Sequence, residues 1–202
     1  PRSTQSRSSA ASDVYKRQDL FLALSPAAAA GIYFFGLQAL GLILVSILTA
    51  SLLETLLVAG GRSPIDLLLG EGALIGFMLA LTLPPSLSPV TALLGAAAAV
   101  LLGRALYGFG SLYIFSPVLV GRLILQAGWL REISPWLTDS YTAATPLMGG
   151  SFTYMGLYLG RINGCIGETS VLLLLLGAAY LLYRRRICWR IPFYYLATVF
   201  LP

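Results

Sequence analysis

This sequence predicts an all-α polytopic membrane protein, a helical bundle with broken helices, on three observations. Of its 202 residues, 57% are hydrophobic and only 10% charged, with a mean hydropathy of +0.82; soluble domains carry about 25% charged residues. Apolar runs near the ~20 residues needed to cross a bilayer recur along the chain. Gly and Pro interrupt several of these runs, where a continuous helix would exclude Pro. The formal charge of +5 is partly local, because Arg2, Arg7, Lys16 and Arg17 face only Asp13 in the first 18 residues. The remaining excess is dominated by one arginine cluster, so the basic balance reports membrane orientation, and no nucleic-acid partner is expected.

Residues 1–18, PRSTQSRSSAASDVYKRQ, are polar and lack an apolar period. A cleaved signal peptide would follow its charges with a short apolar core and a small-residue site; here the apolar run continues into a second span. The segment has the look of translated adapter sequence. It is set apart as a non-native or disordered head, leaving 19–202 as a transmembrane domain of about seven spans. The first span is 19–35, with a kink at Pro26, and the second, 37–59, is the cleanest. Residues 60–66, GGRSPID, read as a turn-rich loop. The run 67–85 is interrupted at Glu71-Gly72 and closed by Pro84-Pro85, which predicts a short helix starting near Gly72. A fourth span covers 88–107. Residues 115–130 hold Ser116-Pro117 and an intramembrane Arg122. A polar, Gly-rich stretch, 131–164, follows, with one short apolar piece near 152–159. A further span, 166–183, opens on Gly-Glu-Thr-Ser, and a last one begins near Ile191 and breaks off at ATVFLP. Both ends read as cut, so the chain is expected to be a piece of a longer membrane protein, incomplete at the C-terminus.

Arg184, Arg185, Arg186 and Arg190 place the loop between the last two spans in the cytoplasm, because basic loops stay inside. Counting back puts 131–164 outside, Asp19 inside, Gly36 outside and Arg62 inside; Arg131 and Arg161 run against the rule. The pairs of spans at 23–48 and 171–200 share a layout and have starts five crossings apart, as inverted repeats with broken helices do. The alternative, that any two apolar spans look alike, stays open.

The chain has no histidine, which excludes His-ligated haem and the usual zinc sites. Cys165 and Cys188 alone hold no four-thiolate cluster and indicate no disulfide framework; a cluster shared with another subunit stays open. No Gly-rich nucleotide fingerprint follows a strand.

Two stretches carry the functional reading. The first is Asp139-Ser140-Tyr141-Thr142-Ala143-Ala144-Thr145-Pro146. Small residues around a threonine let a bulky group approach the backbone, and a hydroxyl accepts a phosphoester when a transferase delivers it. The pattern D-x-x-[ST]-x-A-T resembles the flavinylation motif at which FMN is attached through its phosphate to the last threonine. The resemblance implies that Thr145 carries covalent FMN and that Asp139, Thr142 and Ala144 belong to the recognition sequence. Ala143 stands where the family usually has Gly, which removes some backbone freedom. The alternative is an exposed polar loop with two turn signals.

The second stretch is Gly164-Cys165-Ile166-Gly167-Glu168-Thr169-Ser170. By itself it reads as a capped helix start: Gly164 and Gly167 permit tight turns, Glu168 in the first turn faces the positive end of the macrodipole, and Thr169 and Ser170 bond free N–H groups. Such an end inside a membrane also suits a flavin contact or an ion path. The stretch resembles the G-x-I-G-E-T-S signature of RnfD, a membrane component of the Rnf ion-translocating oxidoreductase, with NqrB of the sodium-pumping NADH:quinone reductase more distant. PAAAAGIYFFG, LALTLPP and FSPVLVGR extend the likeness over most of 19–202, with Ser116-Pro117 where the family has Asn-Pro and a connector at 146–160 shorter than usual. The resemblance implies an electron-relay subunit in a prokaryotic plasma membrane, partnered by the other Rnf subunits and matured by a flavin transferase. It implies the Thr145 loop outside, Gly167, Glu168 and Thr169 near a flavin, and a second, noncovalent flavin (riboflavin). It implies electron flow between ferredoxin and NAD coupled to Na⁺ or H⁺ transport. The rivals are a non-redox channel or transporter with inverted repeats and an assembly subunit without cofactor.

Charges within apolar runs are functional candidates by default. Arg122 is a permanent cation suited to an FMN phosphate or a reduced flavin, or else to an ion pair with Glu71. Glu54 lies near the inner end of its helix, and Glu71 at a helix break is the better ion-path candidate. The Arg184–Arg190 cluster suits a topology determinant near anionic membrane lipid.

Overall fold

The computed structural model describes residues 2–57, 70–103, 115–129, 137–138, 141–142, 164–168 and 170–200. Seven helices account for nearly all of them: α1 (Arg2–Phe35), α2 (Leu37–Leu57), α3 (Glu71–Leu81), α4 (Pro89–Leu101), α5 (Pro117–Gly128), α6 (Val171–Tyr183) and α7 (Arg190–Phe200). The departure from all-α is a two-residue antiparallel pair, β1 (Leu137–Thr138) with β2 (Tyr141–Thr142), registered Leu137 to Thr142 and Thr138 to Tyr141.

α1 begins at Arg2 and runs past residue 18, the expected boundary of the head, without a break. Pro26 lies inside α1, where its missing N–H would leave the Leu22 carbonyl unbonded. The Ser25 hydroxyl donates to that carbonyl at 2.9 Å. α1 ends at Gly36, whose φ of +69° is the left-handed conformation that lets a helix stop and turn back at once. The N–H of Gly36 donates to Ile32 O at 2.8 Å, and α2 leaves in the opposite direction.

Two stretches, Tyr15–Phe35 and Leu37–Leu57, are 21 residues each and long and apolar enough to cross a bilayer. α2 shows why the medium is lipid. Leu44, Leu48, Leu52 and Leu56, one stripe at four-residue spacing, are 46% to 77% exposed, while Ala39, Ser46, Ala50 and Glu54 on the other face are 0% to 2% exposed. A water-soluble helix would reverse that arrangement. Small inward residues let backbones meet closely in a bilayer, where burial of apolar surface gives little drive.

α3 is the central element: nine of its residues, from Gly72 to Leu81, are buried. It packs on α2 through Gly72-Ala-Leu-Ile-Gly76 set against Ser46 and Ala50. A Cβ at Gly76 would run into the Ser46 carbonyl, and one at Gly72 into Glu54. Its 11 residues rise only ~16 Å, about half the hydrocarbon thickness. The expected short helix starting near Gly72 and ending before Pro84-Pro85 is therefore found. α4 starts at Ser88, whose hydroxyl accepts the Thr91 N–H at 3.2 Å, with Pro89 next in the first turn. α5 also starts on a proline, Pro117. α3, α4, α5 and the turn before α6 bury Leu79, Leu83, Val100, Leu125 and Ile166 completely.

α6 runs antiparallel to α1. Asp19 meets Arg184 at one end, Ala23 meets Gly177 further along, and Gly31 meets Ile166 near the other end.

Candidate functional site

The two ends of α3 concentrate the polar chemistry of the bundle. At its N-terminus Glu71 occupies the first turn, and Glu54 of α2 accepts the Gly72 N–H through Oε2. Glu54 is 2% exposed. A carboxylate there satisfies an end N–H and faces the positive end of the helix dipole. Glu71 also pairs with Arg17 Nη2 at 2.8 Å. The alternative pairing of Glu71 with Arg122 is thus corrected: Arg17, from the segment set apart as a head, holds Glu71.

At the C-terminal end the helix stops inside the protein, where carbonyls without partners would be costly. Three donors from elsewhere meet them. The Gly167 N–H donates to Leu81 O at 2.8 Å, the Ile166 N–H to Leu83 O at 3.0 Å, and Arg122 Nη1 to Thr82 O. Both terminal nitrogens of Arg122 also lie 3.8 Å from Cys165 Sγ. The cation therefore faces the negative end of the α3 dipole, as the anion Glu54 faces the positive one. Gly167 is required by this approach: a Cβ there would stand 2.8 Å from Leu81 Cβ.

The 164–170 stretch differs from the capped helix start expected of it. α6 begins at Val171, and its N-cap, Ser170, makes no side-chain capping bond. Glu168 is exposed and precedes the cap by two residues, outside the first turn; its N–H closes a turn onto Cys165 O at 3.0 Å. The residues are used for docking onto the end of α3, which the local pattern does not disclose. Thr169 lies outside the described residues, as do Asp139, Ala144 and Thr145. The backbone of Thr142 is in β2, and β1 and β2 flank positions 139–140. Of the expected site residues, the structure brings together Arg122 and the Gly167 turn.

A third cluster lies where the Asp19 turn of α1 meets the C-terminal end of α6. Asp19, buried, accepts from Arg186 Nε at 2.6 Å, from Arg184 Nη2 at 3.0 Å and from the Tyr180 hydroxyl at 3.3 Å. The neighbouring carboxylate raises the pKa of the Arg184 guanidinium further above its ordinary value. Sequence reasoning missed Asp19 as a buried charge, although its position opposite the arginines follows from the predicted orientation. It also missed the G-x-x-x-G at Gly72 and Gly76, a recognised signal of close helix packing in membranes.

Apolar faces turned outward, charged and small residues turned inward, and a half-length helix closed at both ends by charged side chains define an integral membrane protein of the interrupted-helix class. A family model described as NQR2, RnfD, RnfE matches residues 5–202, and the chain belongs to that family. It is 34% identical over 199 residues to the D component of the proton-translocating ferredoxin:NAD(+) oxidoreductase complex of Clostridium ljungdahlii, covering 88% of this chain and 60% of that protein. It is 32% identical to the Na(+)-translocating counterpart from Acetobacterium woodii over 90% of this chain and 61% of that protein. The B component of the Na(+)-translocating NADH-quinone reductase of Pseudomonas paraeruginosa is 34% identical over a shorter region, 56% of this chain and 32% of that protein. The chain spans about 60% of the length of the two ferredoxin:NAD(+) oxidoreductase relatives.

Proposed function

We propose that this chain is the flavin-carrying membrane subunit of an Rnf-type complex that moves electrons between ferredoxin and NAD and couples the flow to Na⁺ or H⁺ transport. The observation that carries this reading is the ordered co-occurrence of the D-x-x-T-x-A-T stretch ending at Thr145 with a family match spanning the chain. FMN would be held through a phosphoester to the Thr145 hydroxyl, formed when a flavin transferase moves FMN from a flavin dinucleotide, breaking its pyrophosphate and releasing the other nucleotide; Asp139, Thr142 and Ala144 would be read by that enzyme. When attached, the isoalloxazine supplies the redox chemistry and the protein supplies position and electrostatics. Riboflavin, held without a covalent bond, is a second stop in the relay.

The Thr145 loop faces the outer side of a prokaryotic plasma membrane. The common end of Asp19, Arg184 and Arg186 supports this, since it is the end that basic residues keep in the cytoplasm. Arg122 acts through Thr82 and the Gly167 turn, holding the interrupted helices in register rather than binding a flavin phosphate. Coupling arises because a change of charge near these helix ends changes the ion affinity of the polar groups that close them.

Thr145→Ala is expected to abolish the ultraviolet fluorescence of the denatured full-length protein after co-expression with a flavin transferase. Covalent flavin retained in that variant overturns the site. Absence of fluorescence from the unaltered protein favours the non-redox transporter instead.

A further inference from the structure

We infer that the turn between α6 and α7 is a binding site for the phosphate of an anionic phospholipid in the cytoplasmic leaflet. The four arginines of this turn do not share one task. Arg184 and Arg186 are held by Asp19 at 3.0 and 2.6 Å. Among the described residues Arg185 and Arg190 have no carboxylate partner. These two line a groove of about 500 Å³ with Leu182, Ile187, Cys188 and Trp189.

The backbone explains the division of labour. The Arg185 N–H donates to Leu182 O and the Arg186 N–H to Leu181 O, both at 3.0 Å. This pair of bonds ends a helix with one residue in the left-handed conformation, normally Gly. Here that residue is Arg185, with φ of 52°. A side chain is carried where glycine would be less strained, between two arginines already committed to Asp19, and it lines the groove.

The lining specifies the ligand. Two guanidinium groups suit a phosphodiester, which they bind through paired donors. Leu182 and Ile187 suit the first methylenes of acyl chains. Trp189, 63% exposed, is the amphipathic ring that settles at a membrane–water boundary. α7 continues the apolar surface with exposed Phe193, Leu196 and Val199. A soluble phosphate would use the arginines and leave this apolar surface without a role.

The test uses the full-length protein in phosphatidylcholine nanodiscs doped with brominated phosphatidylglycerol or brominated phosphatidylcholine. Quenching of the fluorescence component lost in Trp189→Phe reports occupancy of the groove. Phosphatidylglycerol is expected to quench preferentially. Arg185→Gln with Arg190→Gln is expected to lower that preference by about 25-fold, about fivefold per arginine at an anionic surface. Arg185→Lys with Arg190→Lys keeps the charge but loses the paired donors, and its preference is expected between those of the unaltered protein and the glutamine variant, which separates the site from a folding defect. Equal quenching by the two lipids, or an unchanged preference in the glutamine variant, overturns the inference. Displacement by inorganic phosphate at fixed ionic strength overturns it in favour of a soluble anion. A glutamine variant that keeps its lipid preference but no longer co-purifies with the other complex subunits overturns it in favour of a protein interface.

Discussion

Replacing Arg122 by Met removes a cation while keeping an unbranched apolar stem of similar reach. What is lost is the bond from Nη1 to Thr82 O and the approach of both nitrogens to Cys165. A hydrogen bond to a charged group contributes about 1.5–3 kcal/mol. The two remaining donors, from Gly167 and Ile166, still hold Leu81 and Leu83, so the bundle is expected to fold with the 164–168 turn loosened. The population in which the turn is lifted off α3 then rises ~10- to 150-fold. Cys165 reports that population directly, because it is 3% exposed and reacts only when the turn opens, while exposed Cys188 is an internal reference in the same chain. The assay is N-ethylmaleimide alkylation followed by mass spectrometry of the two peptides. Where reclosing is faster than alkylation, the Cys165 rate scales with the open population. An increase of an order of magnitude or more at Cys165, with Cys188 unchanged, is expected. A Cys165 rate that stays within about twofold of the unaltered protein would refute the closing role assigned to Arg122.

Glu54→Leu leaves the Gly72 N–H without its carboxylate and is expected to cost about 1–3 kcal/mol, read as a lower thermal midpoint in detergent; Glu54→Gln, which keeps an acceptor, should lose much less. Gly76→Ala puts a Cβ against the Ser46 carbonyl and should destabilise by about 1–3 kcal/mol through overpacking. Ser46→Ala removes a buried hydroxyl that has no hydrogen-bond partner among the described residues, so its midpoint is expected to hold or rise. Asp19→Asn is expected to lower the midpoint, and adding Arg184→Gln with Arg186→Gln should lower it by much less than in the unaltered background. Full additivity in that cycle would show that the three groups act separately.

The helical architecture was legible because lipid imposes a simple rule on composition, and runs of Leu, Ala and Val report it. The half-length α3 was legible too: Glu71-Gly72 and Pro84-Pro85 bracket it, and both ends carry local chemistry. What closes those ends was not legible. Arg122 reaches Thr82 across 40 positions, and Asp19 reaches Arg184 across 165; no local period encodes such a pairing. Arg17 was set apart with its polar neighbours because composition describes a segment, whereas one ion pair to Glu71 depends on a single residue. The Gly164–Ser170 stretch misled for a related reason. Glu, Thr and Ser before a Leu run are the usual cap residues, yet the N–H groups of Ile166 and Gly167 serve another helix. The flavin-motif residues were named from the pattern alone, and of these only the Thr142 backbone falls within the described structure.

The clamp on Asp19 also has a timetable. The carboxylate enters the membrane with α1, but its partners are made 165 and 167 residues later. At ~5–20 residues per second, that separation is on the order of 8–33 s of synthesis. Throughout that interval an anion that ends up buried lacks both arginine partners, which favours holding the Asp19 turn of α1 at the interface. Once Arg184 and Arg186 emerge, α1 and α6 close antiparallel on each other and draw the carboxylate inward. Biogenesis of this protein therefore has a late checkpoint at α1, set by the distance along the chain between one aspartate and two arginines.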